Sequence, residues 1–253
     1  MRRAAVLVFG VVSYAVFFAT FLYLVGFVAN LVVPKSIDSG ATGPAGAAFL
    51  VNTLLLLAFG VQHSVMARPG FKVWWTRFVP RPIERSVYTL ASSLALIALF
   101  VFWQPIPQPV WETSGVIASM LTIGLLSGVA LVLISTFLID HFDLFGLRQT
   151  WIHFRGRSYE EKRFATPLLY KWIRHPLYVG WFMTFWITPV MSVGHLLLAF
   201  LMTSYVLIAI PMEERDLLRA LGEPYRRWRE RTPAFVPRIG TAAARTARTV
   251  ESH

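Results

Sequence analysis

The sequence predicts an all-α integral membrane protein: four transmembrane helices, then a C-terminal helical hairpin, with a polar connector and tail on the cytoplasmic side. Three observations predict it. Hydrophobic residues make up 56% of the chain and charged residues only 15%, at a mean hydropathy of +0.57, well outside the soluble range. Four apolar segments reach the roughly 20 residues a helix needs to cross the hydrocarbon core. Of the 24 Lys and Arg residues, 23 fall on one side once those segments are threaded with the N-terminus inside, as the positive-inside rule requires.

The first span covers about 5–30. Met1-Arg2-Arg3 ahead of an apolar run has the look of a signal peptide, but the run from Ala4 to Val33 is twice the usual length, so the segment reads as a retained span. A second span covers about 46–66 and leads into a basic inner loop, where "FKVWWTRFVPRP" reads as an aromatic and basic anchor to lipid headgroups. The third span, about 86–103, and the fourth, about 115–139, flank the outer loop "QPIPQPVWETS", which holds no Lys or Arg. After a polar connector at 140–176 comes an uncharged stretch from Leu177 to Ile210, 34 residues long, too long for one crossing at about 1.5 Å per residue. "TPVMSVGH" at 188–195 breaks it, with Pro189 and Gly194 as turn residues, so 177–210 reads as a hairpin whose short first arm need not reach the far side. A basic tail follows from Met212. Residues 1–238 read as a single domain and the small polar residues 239–253 as a disordered tail.

Composition also excludes. The chain has no cysteine, hence no disulfide, thiolate nucleophile or Cys-ligated metal. Its net charge of +11 would suit nucleic acid on a soluble domain, but these basic residues sit between apolar spans and set topology. The expected surroundings are lipid, in a multi-pass protein with both termini cytoplasmic, in the inner membrane if the source is bacterial, with no nucleic acid and no obligate protein partner.

Polar, directional groups at the mouth of an apolar hairpin are costly unless they bind something. "YKWIRHPLYVGWFMTFW" places Arg174, His175 and Tyr178 there, and the return arm brings "PMEERD", with Glu213 and Glu214, back to the same level. A guanidinium, an imidazole and two carboxylates at a membrane boundary suit a small zwitterionic ligand, with Arg for a carboxylate and Glu for hydroxyls or an ammonium. An Arg–Glu pair that only pins the hairpin fits the spacing equally well.

The wording R-H-P-x-Y-x-G with E-E at the end of the next helix resembles the isoprenylcysteine carboxyl methyltransferase-like superfamily over roughly 166–237. The resemblance implies S-adenosylmethionine as cofactor, with Arg174, His175, Pro176, Tyr178 and Gly180 in the cofactor-binding core and Glu213 and Glu214 as the acidic pair. Tyr225 and Trp228 match the aromatic positions of the closing segment, and Pro237 lies near its final proline. Leu168 stands where many members have Gly. A narrower resemblance, carried by "VQHSVMARPGFKVWW", "PIERSVY", "STFLIDHFDLFGLRQTW" and "FWITPVMSVGHLLLAF", is to the methanethiol S-methyltransferase family. It implies an enzyme that methylates methanethiol to dimethyl sulfide. Alternatives are another acceptor, such as a phospholipid amine or larger thiol, or a non-enzymatic membrane accessory protein.

Gln62 and His63 end the second span, and Asp140, His141 and Asp143 end the fourth at the same level. Such groups could tie helix ends together, bind a metal, or position and deprotonate the acceptor. Methyl transfer from a sulfonium needs alignment and a thiolate, not a metal, so no metal is expected. A thiol near a cysteine's ordinary value of about 8.5 is mostly protonated at neutral pH, and the expected bases are His141 with Asp143, or His63, with Asp140 beside them. His153 reads as solvated, His195 as a cap on the return arm, and Trp181 and Trp186 as pocket lining or packing.

Overall fold

A computed structural model describes residues 3–160 and 164–238; the tail expectation for 239–253 lies outside them. Five helices are long and apolar enough to cross a membrane: α1 (Arg3–Ala29), α2 (Ala45–Ala67), α4 (Arg81–Phe102), α5 (Gly115–Ile139) and α9 (Val193–Leu221). Most of each span's apolar surface faces outward, as in Val116, Ile117, Met120 and Ile123 on α5, where lipid replaces the protein core. Short helices decorate the basic end: α3 (Pro69–Trp75), α6 (His141–Leu144), α7 (Leu147–Phe154) and α10 (Glu223–Arg231). A 3₁₀ turn at Leu168–Lys171 leads into α8 (Pro176–Trp186).

Two features differ from the sequence expectation. Val190–Ser192 is a strand (β2), paired antiparallel with Pro109–Glu112 (β1), so the described chain is not purely helical. That pairing also carries the hairpin, whose short first arm need not have reached so far, to the end of the bundle opposite Arg174. The 11 residues of α8 span only about 16 Å, and the non-helical residues 187–189 continue from it to β2. The bend is bound to the outer loop by Thr113 N–H to the Pro189 carbonyl (2.9 Å), Val193 N–H to Gln108 (2.9 Å) and Gly194 N–H to Ile106 (3.0 Å). Ser192 caps α9 by accepting the His195 N–H (3.0 Å), and His195 itself is sealed against the Phe185 carbonyl (2.9 Å).

The largest core cluster lies toward this end, where Phe27, Leu56, Leu99, Phe100, Trp103, Phe185 and Leu198 join α1, α2, α4, α8 and α9. Trp103 Nε1–H donates to the Ile37 carbonyl (2.9 Å), and Asn52 exchanges two bonds with the Gln104 backbone. Trp181 stacks on Phe185 and meets Phe21 edge-on, so it packs between the two core clusters. Trp186 is anchored through Nε1–H to Thr203 (2.8 Å).

α8 is held by its closest neighbour, α5. A Cβ at Gly180 would lie 2.7 Å from the Gly128 carbonyl, and one at Gly128 would lie 2.7 Å from the Gly180 carbonyl, so the two backbones touch where both lack side chains. At 29 residues, α9 is about 43 Å long, longer than the roughly 30 Å hydrocarbon core. Its last turns, carrying Glu213 and Glu214, therefore emerge at the boundary. Gly222, at φ +65°, makes the turn into α10 that a side chain would strain.

Candidate functional site

Glu214 is the hub of the basic end. Though 3% exposed, it accepts from Arg174 Nε (2.7 Å) and pairs with His175 Nε2 (2.9 Å) through one oxygen, and meets Arg229 Nε (2.7 Å) through the other. Arg174 spends a second nitrogen on the carbonyls of Arg229 (3.0 Å) and Thr232 (2.6 Å). The backbone N–H groups of Arg174 and His175 donate to Pro233 and Ala234. The mouth of the hairpin is thus clamped to the segment after α10. Arg174 thus braces this end through Nε and Nη1. Pro176 opens α8 at a position where a missing N–H costs nothing. Gly180 serves the α5 contact.

Glu213 faces a different set of groups. One of its oxygens accepts the Tyr178 hydroxyl (2.6 Å), and it stands within electrostatic reach of Tyr170, Tyr205 and Tyr225. Tyr225 is sealed, and its hydroxyl has no hydrogen-bond partner among the described residues. Burial, reinforced by the Glu214 and Glu213 charges, pushes that phenol up to about 12, so it remains a neutral donor. An unpartnered hydroxyl beside a carboxylate with one oxygen to spare, flanked by aromatic rings and Arg229, is a donor set that fits an ammonium or diol next to a heteroaromatic ring. S-adenosylmethionine carries all three.

His63 and His141, read from sequence as equivalents at helix ends, occupy unlike places. His141 is 2% exposed, with Nδ1 against Thr136 Oγ1 (2.9 Å), Nε2 against the Tyr14 hydroxyl (2.8 Å) and its ring stacked on Phe137. Burial holds its imidazole below the ordinary value, opposed by Asp140. Asp140 caps α6 by accepting the Asp143 N–H (3.2 Å). Asp143 makes no bond to His141. It pairs with Arg85 (3.2 Å) and Arg148 (3.0 Å) and accepts from Gln149 and Tyr159, tying α4 to α6, α7 and the connector. His63 is only partly buried, stacks on Phe59, and faces Ser92 through Nδ1 (3.1 Å) and the Tyr88 hydroxyl through Nε2 (2.9 Å). No three His, Cys, Asp or Glu side chains converge as a metal-ligand set among the described residues.

Sequence reasoning missed Tyr14, Tyr88, Ser92, Tyr205 and Arg229. The first four lie in apolar spans; Tyr88 stood inside the quoted phrase "PIERSVY" without being singled out, and nothing in the spacing of the others assigned them a partner. Arg229 was one of several arginines in a basic tail, and only its contact with Glu214 sets it apart.

Residues 128–219 match the isoprenylcysteine carboxyl methyltransferase (ICMT) family, a stretch that includes α8, Glu213 and Glu214. The chain is 53% identical to methanethiol S-methyltransferase 2 of Bradyrhizobium diazoefficiens, over 94% of this chain and 92% of that protein. It is 46% identical to methanethiol S-methyltransferase of Crocosphaera subtropica over 95% and 94% of the two chains, and 48% identical to that of Mycobacterium tuberculosis over 94% and 98%. No solved structure matches the chain.

Proposed function

The chain belongs to the methanethiol S-methyltransferase family, and from that premise we propose that it transfers a methyl group from S-adenosylmethionine to methanethiol at the membrane boundary, releasing dimethyl sulfide. The observation that carries the reading is the juxtaposition, at one end of the bundle, of the braced Glu214 hub with the Glu213 and tyrosine cluster. When bound, the cofactor supplies an electrophilic methyl group on a sulfonium.

The chain's own residues then have three tasks. Glu213, Tyr178 and Tyr225 hold the cofactor's ammonium and hydroxyl groups. Arg174, His175 and Arg229 fix Glu214, and through it hold the 229–235 segment over the site. His63, being partly open and facing hydroxyls, is the better-placed group to take the thiol's proton; His141, sealed on both nitrogens, braces α1 against α5. The basic end faces the cytosol, from which the charged cofactor enters, while a small apolar thiol arrives through lipid.

Product analysis of detergent-purified protein, given S-adenosylmethionine with a panel of thiols and phospholipids, tests the reading. Dimethyl sulfide from methanethiol, at a higher kcat/KM than any other product, is expected. Preferential methylation of a lipid amine or larger thiol would replace the acceptor, and absence of any methylated product would sink the enzymatic reading.

A further inference from the structure

Three tyrosines from three helices, Tyr88 on α4, Tyr178 on α8 and Tyr205 on α9, stand within electrostatic reach of one another at the basic end. None of the three is sealed, nor is His63. Tyr178 is committed to Glu213 (2.6 Å), on the side assigned to the cofactor. Tyr205 accepts from Ser64 (3.3 Å) and lies edge-on to His63, with ring centroids 6.5 Å apart. It comes that close to α2 because Gly60 has no side chain: a Cβ there would sit 3.1 Å from the Tyr205 ring. The Tyr88 hydroxyl lies 2.9 Å from Nε2 and 3.1 Å from Nδ1 of His63, with the two rings tilted at 38°, and Ser92 faces Nδ1 as well. Both imidazole nitrogens are therefore shielded by hydroxyls. The nearer of the two hydroxyls to the ring is that of Tyr88, at 2.9 Å against 3.1 Å for Ser92.

We propose that the acceptor thiol binds between Tyr88 and Tyr205, and that the Tyr88 hydroxyl relays its proton to His63. This rests on the methyltransferase reading above. The S–H bond breaks with its electron pair left on sulfur, and that proton joins the Tyr88 oxygen as the original hydroxyl proton passes to His63 Nε2. The products are a thiolate, an imidazolium and an unchanged phenol; the imidazolium later loses its proton to water. The charged and titratable groups facing this site are Arg68 beyond α2, Arg85 on α4, Tyr178 on α8, Tyr205 on α9 and, within reach of those two tyrosines, Glu213. Both cations favour the thiolate, and Arg68 is itself held in place by Asp216 (2.8 Å). Tyr205, seated against Gly60, limits the acceptor to a small alkyl group.

The test uses full-length detergent-purified protein and Tyr88→Phe. Turnover of methanethiol should fall by about 10²-fold or more, in the range for losing a proton-transfer group, with S-adenosylmethionine affinity unchanged. Activity of the variant should recover toward high pH, and with a small fluorinated thiol that ionises more readily. Ultraviolet difference spectra, taken as methanethiol is titrated in without the methyl donor, should report thiolate in the wild type and not in the variant. His63→Gln should give the same pH-rescuable loss, and it decides the matter if Tyr88→Phe does not fold. Wild-type turnover in Tyr88→Phe, or an equal loss for acidic and ordinary thiols with no recovery at high pH, overturns the relay. An inactive wild type overturns the methyltransferase reading instead, and the relay with it.

Discussion

Glu214 accepts three nitrogen partners on two oxygens, and this fixes what Arg174 does. Its guanidinium spans a carboxylate and two carbonyls at once, which a lysine ammonium on a flexible stem cannot reproduce. Arg174→Lys should therefore loosen the 229–235 segment and weaken S-adenosylmethionine binding by about tenfold or more, roughly the worth of one charge-assisted bond. Titration calorimetry reads this, and wild-type affinity would show the brace to be dispensable. His141 predicts a pH effect. Burial keeps its folded-state value below the ordinary 6.5, so the unfolded chain binds the proton more readily. Its contribution to stability is complete above about pH 6.5 and erodes as the pH falls. The thermal midpoint in detergent should drop between about pH 7.5 and about pH 5.5 in wild type, and less in His141→Phe; equal drops would assign the effect to other groups. At this scale the acidic pair and Arg174, His175 and Tyr178 were legible because each set is nearly contiguous at an end of the hairpin. Tyr88 and Tyr205 were not, because their partners come from other helices and no spacing within their own segments names them.

Among the elements, α8 bears the tightest constraint. It presents Tyr178 from a helix of 11 residues, and its height and rotation are set by backbone contact with α5 at Gly180 and Gly128. Gly180→Val would push a branched side chain into the Gly128 carbonyl and the Val132 backbone, neither of which can yield as a flexible side chain would. A cost of about 1–3 kcal/mol is expected from overpacking alone, with the Tyr178–Glu213 bond lost as α8 shifts. Thermal unfolding combined with cofactor titration checks it: unchanged stability would mean that α5 and α8 have slack. The hairpin itself was readable from the length of the uncharged stretch and from Pro189. Its β-ribbon was not, since the partner of Val190–Ser192 lies some 80 residues upstream in a loop that reads only as proline-rich and polar.

For the whole molecule, we propose six crossings, counting α8 with its continuation beside the five long apolar helices, which bring the described ends Arg3 and Arg238 to the basic end of the bundle. The absence of cysteine makes this directly measurable. In intact cells a membrane-impermeant maleimide should label Thr42→Cys, in the exposed loop after α1, and should spare Glu230→Cys until the membrane is opened; the reverse pattern would invert the topology. By itself the sequence determined the membrane class, the approximate spans, the side on which charge collects and the acidic and basic residues at the hairpin mouth. Each of these is a local property, following from the cost of burying charge in hydrocarbon and from the length a helix needs to cross it. Only the tertiary structure decided that His141 is sealed while His63 is partly buried, that Asp143 serves Arg85 and Arg148 rather than a histidine, and that Tyr88, Tyr178 and Tyr205 come from three helices into electrostatic reach of one another. The reason is geometric: in an apolar helix every face looks alike in the sequence, and which face turns inward is settled by backbone contacts such as Gly128 on Gly180, made with another helix.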